Sequence, residues 1–384
     1  MNPERYAVTA DTIFDGAVEW KQCAAIVEGA RIAGVVVRGD LPADLAVHAL
    51  PGGAWLAPGF IDCQVNGGGD VLFNDSPTPE GIAAIVAAHR RFGTTSLLPT
   101  LITDTDETMA AARDAVAAAM GSEPGVLGVH FEGPFLSPEK CGVHDPALMR
   151  APEARHRELL TSLKQGAVLV TLAPERVPSG FIRSLAGRGV RVSLGHSMAT
   201  YDETKAAIAE GLTGFTHLFN AMRPMLAREP GPIAAALETP SCWYGLIVDG
   251  IHVAPAMLRL ALRGAGTPML VSDAMPPVGG TKDRFTLYGT KIIAKDGRCV
   301  TQDGTLAGSA IGMGCAVRNC VRLLEVPLAD ALRLASRAPA EFLGVGDTLG
   351  RIAPGYRADM VAVDPVDVRV LGTWVAGKYA ASTG

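Results

Sequence analysis

Polar side chains suited to metal binding and proton transfer recur where successive apolar runs of this sequence end. They are Glu132 in HFEGPF, His196 in LGHS, His217 and Asn220 in THLFNA, Asp249 and His252 in IVDGIH, and Asp273 in LVSDA. Two imidazoles and one carboxylate form the donor set of many catalytic zinc sites, in which three protein ligands leave room for water. A second carboxylate beside such an ion can act as a general base. The residue types therefore predict a metal-dependent hydrolytic site, provided that the fold gathers the ends of these runs.

Each of these side chains also has a structural interpretation. A single histidine at the end of a strand is more often a hydrogen-bonded structural residue than a metal ligand. His196 and His217 end adjacent runs, however, and the carboxylate of Glu132 would be costly to bury without a partner. We therefore interpret these three as metal ligands. We interpret Asp273 as the general base, with the cap of a loop as its structural alternative. We interpret His130 as a structural or supporting histidine.

Apolar runs alternate with alanine-rich helical patterns over residues 58–346. The eight runs are GFIDCQVN, TTSLLPTL, VLGVHFEG, AVLVTLAP, VRVSLGHS, GFTHLFNA, YGLIVDG and PMLVSDA. Each has the length of a buried parallel strand and ends near glycine, proline, asparagine or aspartate. The alternation predicts an α/β fold, a (β/α)8 TIM-like barrel over 58–346. Barrel enzymes place their chemistry at the C-terminal ends of the strands, which is where the polar residues fall.

The two ends of the chain have a different pattern from the barrel. Residues 1–57 and 347–384 alternate short strand patterns with turns, which predicts one small β-sandwich domain built from both ends. Residues 276–304 follow the eighth run with a strand–turn–strand pattern. They predict a β-hairpin insertion that could act as a lid over the site.

Composition excludes several classes of partner. The chain of 384 residues is 48% hydrophobic and 19% charged, which is enough apolar material for a large core. A net charge of −5 gives no reason to expect nucleic acid as a partner. No stretch of about 18 apolar residues predicts a membrane span. The seven cysteines include no Cys-x-x-Cys pair and the N-terminus is polar, so we expect a cytoplasmic protein with reduced thiols.

Several longer phrases resemble one family of hydrolases. They are APGFIDCQVNGGGD, HFEGPFLSPEKCGVHDP, LGHSMA, THLFNAMRPM, GLIVDGIHV, LVSDAM and LAGSAIGM. Together they cover nearly the whole chain and resemble the N-acetylglucosamine-6-phosphate deacetylases of the amidohydrolase superfamily. The resemblance implies hydrolysis of the N-acetyl group of N-acetylglucosamine 6-phosphate to glucosamine 6-phosphate and acetate. That reaction belongs to amino-sugar catabolism and cell-wall recycling.

The resemblance also implies a role for each residue of the site. Glu132, His196 and His217 match the ligands of one divalent ion per chain, zinc before iron, cobalt or manganese. Asp273 matches the catalytic acid/base, and His144 a catalytic residue near the sugar and the acetyl group. The residues that match substrate-binding positions are Gln64, His144, Asn220, Ala221, Arg228, His252 and Leu306. In the family the phosphate-binding arginine comes from a neighbouring subunit, which implies a homodimer in which Arg228 reaches the other active site.

The phrase PGFIDCQVNG departs from the wider superfamily, where His-x-His at this position helps to bind two metals. Gln64 and Asn66 stand there instead, and neutral amides are weak substitutes for imidazoles. Family members with Gln-x-Asn bind one metal. The hypothesis is therefore that one metal subsite is lost while the chemistry is kept. Gln64 could still hold the metal-bound water or a weak metal position.

Two other functions stay open on the sequence alone. An amidohydrolase acting on another N-acylated amino sugar or an N-acyl amino acid would share the metal site and Asp273 but would need no phosphate-binding Arg228. A solvated loop arginine is the structural alternative for that residue. A non-catalytic barrel protein would have no need to keep a carboxylate, two histidines and an aspartate at successive strand ends.

Overall fold

Eight parallel strands form a barrel in the computed structural model, which describes residues 4–382. Its strands are β1 (Phe60–Val65), β2 (Thr94–Ile102), β3 (Gly128–Glu132), β4 (Ala167–Leu172), β5 (Arg191–Leu194), β6 (Gly214–Phe215), β7 (Trp243–Leu246) and β8 (Thr267–Leu270). They are neighbours in chain order, from β1 to β8. Each of the eight predicted runs overlaps one of these strands, so the predicted TIM-like barrel is confirmed.

The barrel closes where the chain beyond β8 meets β1. The backbone N–H of Asp273 donates to the carbonyl of Gln64 at 3.0 Å, and the N–H of Asn66 donates to the carbonyl of Ala274 at 2.9 Å. Val65 and Ala274 form a parallel bridge between these two bonds. This pairing fixes which side chains of the two segments face each other.

A helix follows each barrel strand. These eight helices are Pro79–Arg90, Asp106–Ala119, Ala154–Leu160, Phe181–Ala186, Tyr201–Ala209, Gly231–Glu238, Pro255–Ala261 and Met313–Leu324. Local sequence explains several of their first turns, because Thr105 caps the second helix and Thr200 forms a capping box with Glu203 at the fifth. None of the helices in residues 4–382 combines the length and apolarity that a membrane span needs.

Strands from both ends of the chain form a second sheet. They are Arg5–Phe14, Glu19–Glu28, Arg31–Val37, Ala46–Ala49, Trp55–Pro58, Met360–Asp364, Arg369–Val375 and Lys378–Ala381. Their inward side chains, among them Val8, Leu56 and Trp374, are fully buried in one apolar cluster. This is the small β-sandwich that the sequence predicts.

The described residues divide into two compact units. One contains Cys63–Val86 and Leu97–Ile311, and the other contains the chain up to Asp62, Ala87–Ser96 and the chain from Gly312. The second unit also holds the helices Leu328–Ala335 and Arg337–Leu343. The domain boundaries at 57/58 and 346/347 stay a prediction from the sequence.

The insertion after β8 is larger than the predicted hairpin of 276–304. It is an antiparallel sheet of four strands, Arg284–Leu287, Thr290–Lys295, Arg298–Val300 and Leu306–Ser309. Two-residue turns join the first three strands, with positive φ at Tyr288–Gly289 and at Asp296–Gly297. The sequence pattern missed the last strand because LAGS has neither alternation nor β-branched residues.

Candidate active site

A cavity of about 310 Å³ opens at the C-terminal ends of the barrel strands. The predicted site residues that line it are Glu132, His144, His196, His217, Asn220, Ala221, His252, Asp273 and Leu306. Gln64 does not line the cavity, but it is buried and contacts two residues that do. Arg228 is exposed and is not part of the lining. The structure therefore brings together every predicted site residue except Arg228.

Three ligand atoms converge at the centre of the cavity. Glu132 Oε1 lies 3.0 Å from His217 Nε2 and 3.2 Å from His196 Nε2, and the two nitrogens are 3.1 Å apart. Ligands arranged tetrahedrally around zinc are about 3.3 Å from one another, since each bond is about 2.0–2.1 Å long. The three side chains are buried, and within residues 4–382 they form a group of possible metal ligands. We call Glu132, His196 and His217 the metal group. Their donor types and spacing fit a divalent cation.

The orientation of His196 is set by a backbone carbonyl. His196 Nδ1 donates to the carbonyl of Lys140 at 2.7 Å, so in the neutral ring the lone pair is on Nε2. That nitrogen is the one that faces Glu132 and His217. The tautomer of His196 is therefore the one that a metal ligand needs at Nε2.

The charges in the metal group favour the binding of a cation. Burial acts to raise the pKa of Glu132, but the close contacts with the imidazoles of His196 and His217 outweigh it and hold that pKa well below its usual value. Burial acts to lower the pKa of His217, whereas the hydrogen bond and the negative charge of Glu132 raise it. Glu132 therefore stays ionised although it is buried, and it attracts positive charge.

Asp273 lies beside this group and is held by two carboxamides. Gln64 Nε2 donates to Asp273 Oδ1 at 3.1 Å, and Asn66 Nδ2 donates to the same oxygen at 2.7 Å. Burial and then the negative charge of Glu132 raise the pKa of Asp273 to about 6. A carboxylate with a raised pKa next to a metal group has the properties of a proton acceptor that can also donate.

The backbone conformation is left-handed at two of the three metal-group residues and at Asp273. The φ angles of His196, His217 and Asp273 are 48°, 34° and 52°. Side chains other than glycine pay a steric cost in this region, although histidine and aspartate tolerate it better than most. Each of these residues lies two or three positions beyond the end of its strand, and its side chain lines the cavity. The site is therefore built from strained strand ends.

His144 reaches the cavity from the long loop after β3. Its Nδ1 lies 2.8 Å from the hydroxyl of Thr103 and 3.4 Å from the backbone nitrogen of Thr103, which can only donate. Nδ1 is therefore an acceptor, and Nε2 carries the proton. Burial and then the neighbouring imidazole of His196 lower the pKa of His144 well below its usual value. His144 is thus a neutral imidazole with an N–H to donate.

His252 is fixed by a buried carboxylate. Its Nδ1 lies 2.6 Å from Asp249 Oδ2, and the side chain of Asp249 is fully buried. The other oxygen, Oδ1, accepts the backbone N–H groups of Ile251 and His252 at 2.8 and 2.9 Å. The ring therefore has one orientation, in which Nε2 is the nitrogen left for a ligand.

The remaining predicted residues lie around the edge of the cavity. The carbonyl of Ala221 accepts the N–H of Ser197 at 3.0 Å, so its N–H is the backbone group left for a ligand. The amide of Asn220 donates to the carbonyl of His217 at 3.1 Å, which places its side chain next to the metal group. Leu306 comes from the insertion.

Several supporting residues could not be found from the sequence. Thr103 and Lys140 orient His144 and His196, and neither lies in a motif that signals that task. His130, interpreted above as structural or supporting, is buried between Thr171 Oγ1 at 2.7 Å and Thr100 Oγ1 at 3.3 Å. It does not line the cavity.

Comparisons with known proteins agree with this geometry. The amidohydrolase family model matches residues 55–380. The chain is 43% identical to the N-acetylgalactosamine-6-phosphate deacetylase of Shewanella sp. (strain ANA-3), over 93% of this chain and 91% of that protein. It is 34% identical to the N-acetylglucosamine-6-phosphate deacetylase of Haemophilus influenzae, over 98% and 99%. The crystal structure of N-acetylglucosamine-6-phosphate deacetylase from Pasteurella multocida superposes with a TM-score of 0.95 at 36% identity, covering 98% of this chain and all of that one.

Proposed function

The chain belongs to the amidohydrolase family, and from that premise we propose that it hydrolyses the N-acetyl group of N-acetylglucosamine 6-phosphate to glucosamine 6-phosphate and acetate. The observation that carries the proposal is the buried group of Glu132, His196 and His217 next to Asp273. This arrangement offers a metal site and a proton acceptor in one cavity, and the Shewanella, Haemophilus and Pasteurella relatives described above are deacetylases of amino-sugar phosphates.

Glu132, His196 and His217 would hold one divalent ion, with zinc as the first expectation and iron, cobalt or manganese as alternatives. Such an ion, when bound, supplies Lewis acidity and lowers the pKa of water. Asp273 accepts a proton from the attacking water and then transfers it to the leaving nitrogen. A group that takes and returns a proton needs a pKa near the working pH, and the raised pKa of Asp273 supports this assignment.

His144 would stabilise the negative charge that develops on the acetyl oxygen. As a neutral imidazole it donates from Nε2, and a donor held in place before the reaction loses little energy in reorganisation. His252, Asn220, Leu306 and the N–H of Ala221 would bind the sugar and its phosphate. These roles rest on the resemblance together with the placement of the residues around the cavity.

We also propose a homodimer in which Arg228 binds the phosphate in the neighbouring active site. Arg228 is exposed, does not line the cavity of its own chain, and follows Met225 and Leu226, whose exposed fractions are 45% and 60%. Apolar side chains beside an arginine suit an interface that delivers a guanidinium to an anion. A cytoplasmic location stays a prediction, and all seven cysteines are free thiols.

A second candidate substrate is N-acetylgalactosamine 6-phosphate, which differs from the first in the orientation of one hydroxyl group. The observation in its favour is the 43% identity to the Shewanella deacetylase, against 34% to the Haemophilus deacetylase. Both substrates carry the same acetamide and the same phosphate. The metal group and Asp273 would therefore act on them in the same way, and the sugar-binding residues would decide between them.

One experiment tests the proposal. Metal-free protein is titrated with zinc, and acetate release is followed separately with the two N-acetylated sugar phosphates and with unphosphorylated N-acetylglucosamine. We expect release from a phosphorylated sugar that levels at one zinc per chain, with the higher kcat/KM identifying the substrate. A plateau at two would keep the reaction but contradict the loss of a metal subsite at Gln64 and Asn66. No release from any of the sugars would favour an N-acyl-amino-acid hydrolase or a non-catalytic relative.

A further inference from the structure

Two buried carboxylates lie close together at the mouth of the barrel. The side chain of Glu132 is 2% exposed and Asp273 is 8% exposed. One cation held by Glu132, His196 and His217 does not by itself fix Asp273. The amide of Gln64 contacts both carboxylates and the amide of Asn66 contacts Asp273, and both amides are buried.

The two carboxylate oxygens of Glu132 have different partners, because Gln64 binds one of them. Oε1 faces the Nε2 atoms of His196 and His217, at 3.2 and 3.0 Å. Oε2 accepts Gln64 Nε2 at 2.9 Å. The amide thus occupies the oxygen that is turned away from the metal group, and Glu132 presents a single oxygen to the ion.

The same two amides fix Asp273. Gln64 Nε2 and Asn66 Nδ2 both donate to Oδ1, at 3.1 and 2.7 Å. No hydrogen bond within residues 4–382 is described for Oδ2, so that oxygen is free to exchange a proton. Backbone pairing of Gln64 and Asn66 with the Asp273–Ala274 segment holds the amides opposite the carboxylate.

Asn66 lines the cavity, and its carboxamide has one hydrogen-bond partner within residues 4–382, the carboxylate of Asp273. Its Nδ2 is bound to Asp273, while its Oδ1 is buried without a hydrogen-bond partner in the described part of the chain. A buried polar atom without a partner is costly, so the contact with Asp273 must be worth keeping.

We propose that Gln64 and Asn66 are positioning residues, which aim one oxygen of Asp273 at the substrate and reserve one oxygen of Glu132 for the metal. They perform, without a charge, the orienting task that a second cation would perform between two carboxylates. This inference rests on the proposed function, because it assigns Asp273 as the acid/base.

The test separates the two amides. Asn66→Leu keeps the volume and removes the donor to Asp273 alone, so we expect kcat to fall about 10–100-fold while KM and zinc affinity change by less than about threefold. Gln64→Met removes donors to both carboxylates, so we expect the same loss of kcat and also zinc affinity about 10–100-fold weaker in competition with a chelator. Asn66→Ala and Gln64→Ala replace these variants if either fails to fold, as judged by circular dichroism.

Asn74→Leu is the matched control. Its amide also donates to a carboxylate, that of Asp104 at 2.8 Å, but it does not contact the metal group. We expect kcat and zinc affinity in this variant to stay near those of the wild type.

Wild-type kcat in Asn66→Leu would overturn the proposal for Asp273, and unchanged zinc affinity in Gln64→Met would overturn it for Glu132. Equal losses of stability and kcat in all three variants would show a packing role and would also overturn it. If the wild type releases no acetate, the proposed function fails. The zinc affinities of Gln64→Met and Asn66→Leu then still decide whether Gln64 reserves an oxygen of Glu132.

Discussion

The carboxylate of Asp273 is buried, ionisable and bound through one oxygen only, which suits proton transfer better than a structural cap. Its hydrogen bonds come from neutral amides and not from a lysine or arginine, so no fixed positive side chain locks it in the ionised form. That environment suits a side chain that both takes and returns a proton near neutral pH, which is the proposed role of Asp273.

Asp273→Asn should therefore remove catalysis without disturbing the fold. An amide of the same shape cannot accept the proton, and we expect kcat to fall about 10²–10⁴-fold. Zinc per chain, measured by atomic emission, and the thermal midpoint should stay near those of the wild type. Asp283→Asn, on the exposed part of the insertion, is the control. A kcat close to that of the wild type in Asp273→Asn would refute the acid/base assignment.

Asp249 holds the imidazole of His252, which lines the cavity. Asp249→Asn would keep the shape but replace an ionic partner of Nδ1 with an amide, so the imidazole loses its fixed orientation. We expect KM for the phosphorylated sugar to rise about 10-fold, with kcat and zinc content changed little. Steady-state kinetics with the phosphorylated and the unphosphorylated sugar checks this result. An equal rise in KM for both sugars would contradict contact between His252 and the phosphate.

At the scale of elements, strand ends were the most informative part of the sequence. A buried parallel strand needs a continuous apolar run, so Glu132 and His196 stand out as soon as the run ends. Parallel strands in a barrel all place their C-termini on one face, and this is why residues 64 positions apart could be assigned to one site.

The contacts that orient those residues could not be predicted in the same way. Thr103 orients His144 through its hydroxyl group, and Lys140 orients His196 through its backbone carbonyl. Every residue type has such a carbonyl, so the sequence does not mark this contact. The amides of Gln64 and Asn66 suggested a lost metal subsite, but their hydrogen bonds to the carboxylates depend on the pairing that closes the barrel. Long-range register of this kind has no local sequence pattern.

The first turn of the helix after β2 contains a carboxylate whose contribution to stability should depend on pH. Asp106 in its first turn accepts Arg150 Nη2 at 2.5 Å and His156 Nε2 at 3.0 Å. Burial acts to raise the pKa of Asp106, but the hydrogen bonds from Arg150 and His156 outweigh it and lower the pKa below its usual value. A lowered pKa means that the stabilisation is complete above the unfolded pKa and is lost as the pH falls through the folded pKa.

Asp106→Asn should therefore lower the free energy of unfolding by about 1–3 kcal/mol at pH 7. The difference from the wild type should shrink as the pH falls below about 4, where the wild-type carboxyl also becomes neutral. Urea unfolding at a series of pH values measures it. Glu107→Gln in the same turn, at an exposed position, is the control. A difference that is the same at both ends of the pH range would contradict an ionic origin.

At the scale of the whole molecule, the proposed homodimer with shared active sites predicts complementation between two defective chains. A dimer of one Arg228→Ala chain and one Asp273→Asn chain contains one site with both Asp273 and a partner's Arg228. Such a heterodimer, isolated through two different tags, should have about half of the wild-type activity at low substrate.

Each variant alone should be much less active under the same conditions, since every site of its homodimer lacks one of the two groups. Sedimentation should show a dimer in all cases. A heterodimer no more active than the two homodimers would mean that Arg228 serves its own chain or has no role in binding phosphate.

The left-handed backbone at His196, His217 and Asp273 has a consequence for attempts to engineer this protein. Glycine would relieve the steric strain of the backbone at each of these positions, and that strain amounts to about 1 kcal/mol or more. A library selected only for survival on heating would therefore tend to collect glycine at the positions where the reaction needs imidazole and carboxylate. Thermal tolerance and turnover are opposed at these three positions, so a useful selection has to score acetate release in every round.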